Sequence, residues 1–147
     1  MHNQIYNKMK PKVFLRIAAI VLILHAIGHS MGALTWQKPD SGIPTEVVQK
    51  MQEVHFDFMG KENTMAAMFT GNGTAGIILL LLMSVILWTV SGWNNKYAKK
   101  ILWIVFCTIL LLAIAEIIFF FPMAYMFCFV AAGLVLWGIF KMRNIKE

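Results

Sequence analysis

The chain has 147 residues, 59% of them hydrophobic and 14% charged, with a formal net charge of +6. Soluble globular domains carry about a quarter charged residues, so this composition excludes one. The positive charge does not mark a nucleic-acid binder, because it is parcelled between apolar segments instead of forming one basic face.

The first ten residues, MHNQIYNKMK, are polar and expected to be mobile. An apolar stretch then runs from Val13 to Gly32, about the 20 residues that cross a bilayer. Its basic start (Lys8, Lys10, Lys12, Arg16) and the small residues Ser30-Met31-Gly32 allow a signal-peptide reading. The run exceeds the ~7–15 residues of a signal core and carries two histidines, so a retained span is expected. Arg16 reads as a basic anchor reaching for the inner interface.

Residues 33–63 form a polar loop. Pro39-Asp40-Ser41-Gly42 signals a turn, and TEVVQKMQEVHFDFMG follows with Val47, Val48, Met51, Val54, Phe58 and Met59 at helical spacing. A short amphipathic outer helix is expected there, capped by Thr45 and stopped by Gly60. It either lies on the membrane surface or closes the mouth of the bundle. In the second case His55 and Asp57 act as a lid.

The second span runs from about Thr64, or from Gly73, to Val90, with Asn63 or Thr64 as cap. Gly71, Gly73 and Gly76 permit either close helix packing or a break. The third span is Ile101 to Phe120 and the fourth Met123 to Phe140, joined so tightly at Phe121-Pro122 that they form an antiparallel hairpin. The expected fold is all-α: one polytopic domain of four transmembrane helices over residues 1–147.

Lysine and arginine collect before the first span, between the second and third (Lys96, Lys99, Lys100), and after the fourth (Lys141, Arg143, Lys146). The 33–63 loop balances its three lysines with Asp40, Glu46, Glu53, Asp57 and Glu62. By the positive-inside rule both termini are cytoplasmic in a cell membrane, and the loop faces outward. Trp88, Trp93, Tyr97, Trp103, Trp137 and Phe140 gather at the inner ends, as an aromatic belt does. Anionic lipid headgroups are natural partners of that basic side.

Two polar features interrupt the apolar spans. In LHAIGHSMG, residues 24–32, His25, Gly28, His29 and Gly32 fall on one helical face, and Gly28 and Gly32 make a G-x-x-x-G pattern that admits a second helix. In LLAIAEIIFF, Glu116 is the one acidic residue within a span, and intramembrane carboxylates usually face the protein interior. Counted at 1.5 Å per residue, His25 and His29 lie ~18 and ~24 Å from the inner end of their span, and Glu116 ~22 Å from that of its own. Asn72 and Tyr125 fall near the same level. The expected site is therefore a polar layer of His25, His29, Asn72, Glu116 and Tyr125 in the outer half of the bundle.

Such a layer suits several chemistries. His25, His29 and Glu116 are donors for Zn²⁺ or iron. The metalloprotease H-E-x-x-H pattern is absent, since Ala26 stands where its glutamate belongs. Two histidines on one helical face do not bracket a haem. A glutamate–histidine pair can also relay protons or act as acid and base. Cys107 and Cys128 lie at different depths, ~9 Å from an inner end and ~8 Å from an outer end, and so do not bond to one another. With no C-x-x-C, a disulfide-generating enzyme lacks its reactive pair.

The segment L-H-A-I-G-H-x-x-G, a short outer helix, and F-x-x-G-N-G-T-A-G at the opening of the second span together resemble small four-helix membrane proteins of bacteria. The DoxX-like group is the nearest named architecture. The resemblance implies a four-span bundle, and some members of that group are linked to quinone-dependent oxidation. The sterol-isomerase-type four-helix proteins are a more distant likeness in layout. The expected function is a small-ligand or lipid binder, or an accessory subunit partnered by another membrane protein or by its own copy. The competing reading is a membrane-embedded acid/base or metal-assisted enzyme acting on a lipid-like or quinone-like molecule.

Overall fold

The computed structural model describes residues 10–142; the polar stretch of residues 1–9 lies outside them, as do Arg143 and Lys146. In chain order come α1 (Pro11–Thr35), a single 3₁₀ turn (Pro39–Ser41), α2 (Thr45–Glu53), β1 (His55–Phe58), β2 (Lys61–Thr64), α3 (Met65–Val90), α4 (Lys96–Phe119) and α5 (Pro122–Lys141). Helices α1, α3, α4 and α5 are each long and apolar enough to cross a membrane. At 1.5 Å per residue even the shortest, 20 residues, reaches the ~30 Å thickness of a hydrocarbon core. The fold is all-α with four candidate spans, which is the architecture of a multi-pass membrane protein. Its large exposed side chains are those that lipid tolerates, among them Ile104, Leu111, Ile118 and Phe140.

The chain falls into two compact units. One contains the chain through Ile23 and from Met83 onward, so it draws on all four long helices. Its core is built from side chains at helical spacing: Leu15, Ala18 and Leu22 on α1, Leu102, Val105 and Ile109 on α4, Ala131, Val135 and Ile139 on α5. Gly138 lets α1 come close, since a Cβ there would lie 2.8 Å from Leu15 Cδ2. Asn95 caps α4 by accepting from the Ala98 amide at 2.8 Å. Pro122 occupies the first turn of α5, where its missing N–H costs nothing. Arg16 is held by two contacts: its Nε donates to Ser91 Oγ at 3.4 Å and its guanidinium stacks 4.7 Å from the Trp88 ring centroid.

The second unit is Leu24–Leu82. Trp36 anchors it, buried among Val48 and Ala66 with Ile43 and Met51 packed around them. Its indole donates to Thr70 Oγ1 at 3.2 Å, and its ring meets Phe69 at 5.0 Å. The apolar side of α2 therefore packs on Trp36 and Ala66, protein against protein.

Three local expectations are corrected here. The outer helix does not continue to Met59; it ends at Glu53, with Val54 as its C-cap. Residues 55–58 alternate polar and aromatic side chains, a strand period, and they pair antiparallel with Lys61–Thr64. Met59 and Gly60 both have positive φ, 55° and 83°, the two-residue turn that matches strand twist. Gly60 thus turns a hairpin where a helix stop was expected. Thr45 is the first helical residue, with Pro44 in the cap position. Thr64 caps α3 as expected, accepting from the Ala67 amide at 3.1 Å.

The glycines of α3 leave that helix unbroken, and Gly73 and Gly76 serve close packing. A Cβ on Gly73 would lie 2.7 Å from Ala33 Cβ. The G-x-x-x-G face of α1 is not used in this way. Gly28 and Gly32 are exposed, and a Cβ at either would meet no atom within 4 Å. The contact face of α1 is instead His25, Ala26, His29 and Ala33, rotated from the glycines by roughly 100° of helical turn.

Candidate functional site

Each polar residue of the spans can be placed within its own unit. In the second unit, His25 is 4% exposed and His29 half-buried on α1. Their rings lie 6.3 Å apart at 88°, edge to face. His29 seats over Gly76, where a Cβ would stand 2.8 Å from its Nε2. A glycine on one helix thus makes room for an imidazole on another, which fixes the ring in the interior.

In the other unit, Glu116 falls on the buried stripe of α4, following Ile109 and Ala113 at four- and three-residue steps, and is 5% exposed. It does not face lipid. Cys128 on α5 is fully buried. A carboxylate oxygen of Glu116 and the Cys128 sulfur lie within 4.8 Å of each other, and the two side chains are hydrogen-bonded, the thiol being the natural donor to a carboxylate. The tight turn at Phe120-Phe121 brings about this pairing. It sets the last turn of α4 beside the first turns of α5, so residues a few positions either side of the turn share a depth. Glu116 and Cys128 are thus a buried carboxylate–thiol pair within one unit.

The remaining expected residues are less buried. Asn72 is exposed on α3. Tyr125 is half-buried, with its ring edge-on to Phe129 at 6.2 Å. His55 and Asp57 are exposed on β1, not on the end of α2. There His55 Nδ1 lies 3.1 Å from Glu62 Oε1, and Asp57 Oδ1 accepts from the Gly60 amide at 2.8 Å, bracing the turn.

Cys128 escaped sequence reasoning. Depth separates it from Cys107, and neither cysteine is in a disulfide, Cys107 being exposed and Cys128 buried. The same count, run across the α4–α5 turn, sets Cys128 near the level of Glu116. That signal could have found it.

An open groove of about 730 Å³ runs along α3 in the second unit, lined by small and polar residues including Gln37, Ala67, Thr70, Gly71 and Thr74. Neither histidine lines it. No family model, curated protein or solved structure matches this chain.

Proposed function

We infer that this is an integral membrane protein, cytoplasmic at both termini, that holds a small ligand in a buried polar layer containing His25, His29 and Glu116. The carrying observation is the burial of His25 and Glu116, at 4% and 5% exposure, inside apolar helices. Ionisable groups are costly at that depth and persist when they pair or serve an ion or proton. In this reading His25 and Glu116 share a layer by counted depth, and each is buried within its own unit. They lie at similar counted depths (~18 and ~22 Å from the inner ends of their spans), and each continues the buried stripe of its own helix, Leu15-Ala18-Leu22 on α1 and Ile109-Ala113 on α4.

Groups so shielded accept a proton or a metal ion more readily than an acyl chain. A lipid-like or quinone-like substrate, the chemistry that the DoxX-like layout suggests, needs a lateral opening at the histidines. The groove along α3 opens without them, which favours a binder or accessory subunit over an enzyme. The exposed Gly28 and Gly32 leave α1 a small-residue face suited to a neighbouring membrane helix.

The test is Glu116→Gln in the full chain, read by NMR titration of the histidine rings in micelles. Removing the one acidic group of the spans changes the titration of His25 and His29 if all share a layer. Titration curves identical to those of the parent would sink this reading.

A further inference from the structure

We propose that the β1–β2 hairpin is a membrane-surface element, seated among lipid headgroups with Phe58 and Met59 turned toward the acyl chains. The inference goes beyond the buried polar layer and does not depend on it.

The register of the hairpin sorts its side chains. Residues paired directly across an antiparallel ribbon stand on the same face. The pairs Phe56–Asn63 and Phe58–Lys61 therefore share one face, and His55–Thr64 and Asp57–Glu62 share the other. The contact of His55 with Glu62 at 3.1 Å runs diagonally across that second face, as the register requires. One face is thus aromatic with a single cation, and the other carries both carboxylates of the ribbon. The aromatic face is half-covered at its root, at Phe56 and Asn63, and open at its tip, at Phe58. Met59, in the turn, is 92% exposed, and its φ of 55° is a conformation that L side chains rarely adopt. A large apolar side chain held there gains almost nothing from its own chain. Its use lies in what it meets outside.

Chain continuity identifies that occupant as lipid. Thr64 ends β2 and Met65 begins α3, a candidate span, with no residue between them. The root of the hairpin therefore sits where α3 enters the bilayer, and four residues of strand carry its tip no more than ~13 Å from that point. Met65 and Phe69, in the first turns of α3, are exposed apolar side chains as well, so apolar exposure does not stop at the end of the span. Lys61 suits the same surface, since its stem can lie along apolar groups while the ammonium reaches a phosphate. The free edges of a two-stranded ribbon carry unpaired N–H and C=O groups, which hydrocarbon does not accept. Seating therefore stops at headgroup depth, where aromatic side chains collect, and the acidic face looks to water. The hairpin acts as a surface anchor for α3 instead of a lid.

The experiment uses the full chain in vesicles of phosphatidylcholine and phosphatidylglycerol, with a nitroxide label on one introduced cysteine at a time. Met59→Cys, Phe58→Cys and Glu62→Cys are made in a Cys107→Ser background, with the buried Cys128 left in place. Relaxation of the label by oxygen, which concentrates in lipid, is compared with relaxation by a water-soluble nickel chelate. The labels of Met59→Cys and Phe58→Cys should favour oxygen, and that of Glu62→Cys should favour nickel. Nickel preference for both Met59→Cys and Phe58→Cys would put the tip in water and overturn the proposal. Shielding of both labels from both reagents would mean that protein covers the tip, and would overturn it equally. Neither result bears on the His/Glu layer, which the Glu116→Gln titration decides by itself.

Discussion

Gly73→Ala is the most direct probe of how α1 is held in place. The added Cβ would sit 2.7 Å from Ala33 Cβ and 3.6 Å from its Cα. Carbon atoms rest at about 3.5–4.0 Å, so the shortfall is close to 1 Å. The obstructing atoms are a backbone carbon and the methyl fixed to it, with no rotamer that moves them aside. The two helices must separate, and overpacking of this kind costs about 1–3 kcal/mol. Alanine returns up to about 1 kcal/mol through its helix propensity. Gly71, two positions earlier on the same helix, has no atom within 4 Å of a built Cβ and carries only the propensity gain. Gly73→Ala should therefore be less stable than Gly71→Ala by about 1–3 kcal/mol in equilibrium unfolding in mixed micelles followed by circular dichroism. Ala33→Gly in the Gly73→Ala background should recover most of the loss, because it removes the opposing methyl. Equal stability of the two alanine variants would refute the close approach of Ala33 and Gly73. Since Ala33 lies one turn beyond His29, the less stable variant should also alter the histidine titration.

Other consequences follow from local geometry. Reporter fusions at Lys61 and Glu147 should lie on opposite sides of the membrane, and the same side for both would overturn the positive-inside assignment. Met59 holds φ = 55° in the hairpin turn, a conformation that costs an L side chain roughly 1–2 kcal/mol. Met59→Gly should slow amide exchange across residues 57–62, and unchanged or faster exchange would argue against the two-residue turn. Thr64→Ala removes the hydroxyl that caps α3 and should cost about 0.5–2 kcal/mol of stability, with Thr64→Ser restoring it. Equal stability of the alanine and serine variants would show that the cap contributes nothing.

The four spans and the polarity of their ends follow from composition alone. A run of some 20 apolar residues must form a helix that satisfies its own backbone wherever it meets hydrocarbon. For that reason each of the four apolar runs lies in one long helix. The burial of Glu116 was legible in the same way, because a carboxylate inside an apolar span has few other places to go. Periodicity, however, describes a helix's faces without saying which face meets which neighbour. His25 and His29 were expected to share a buried face with Gly28 and Gly32. Packing turned the histidines inward and left both glycines exposed, because the room for α1 comes from Gly73 and Gly76 on α3. At Val54–Thr64 the helical spacing of Phe58 and Met59 competed with strand alternation at 55–58. Pairing with Lys61–Thr64 decided the outcome, a contact across the turn that a helical reading of 45–60 does not contain. Cys128 is the clearest case. By sequence it is one more small residue in an apolar helix, and only the fold of α4 back onto α5 makes it the partner of a buried carboxylate.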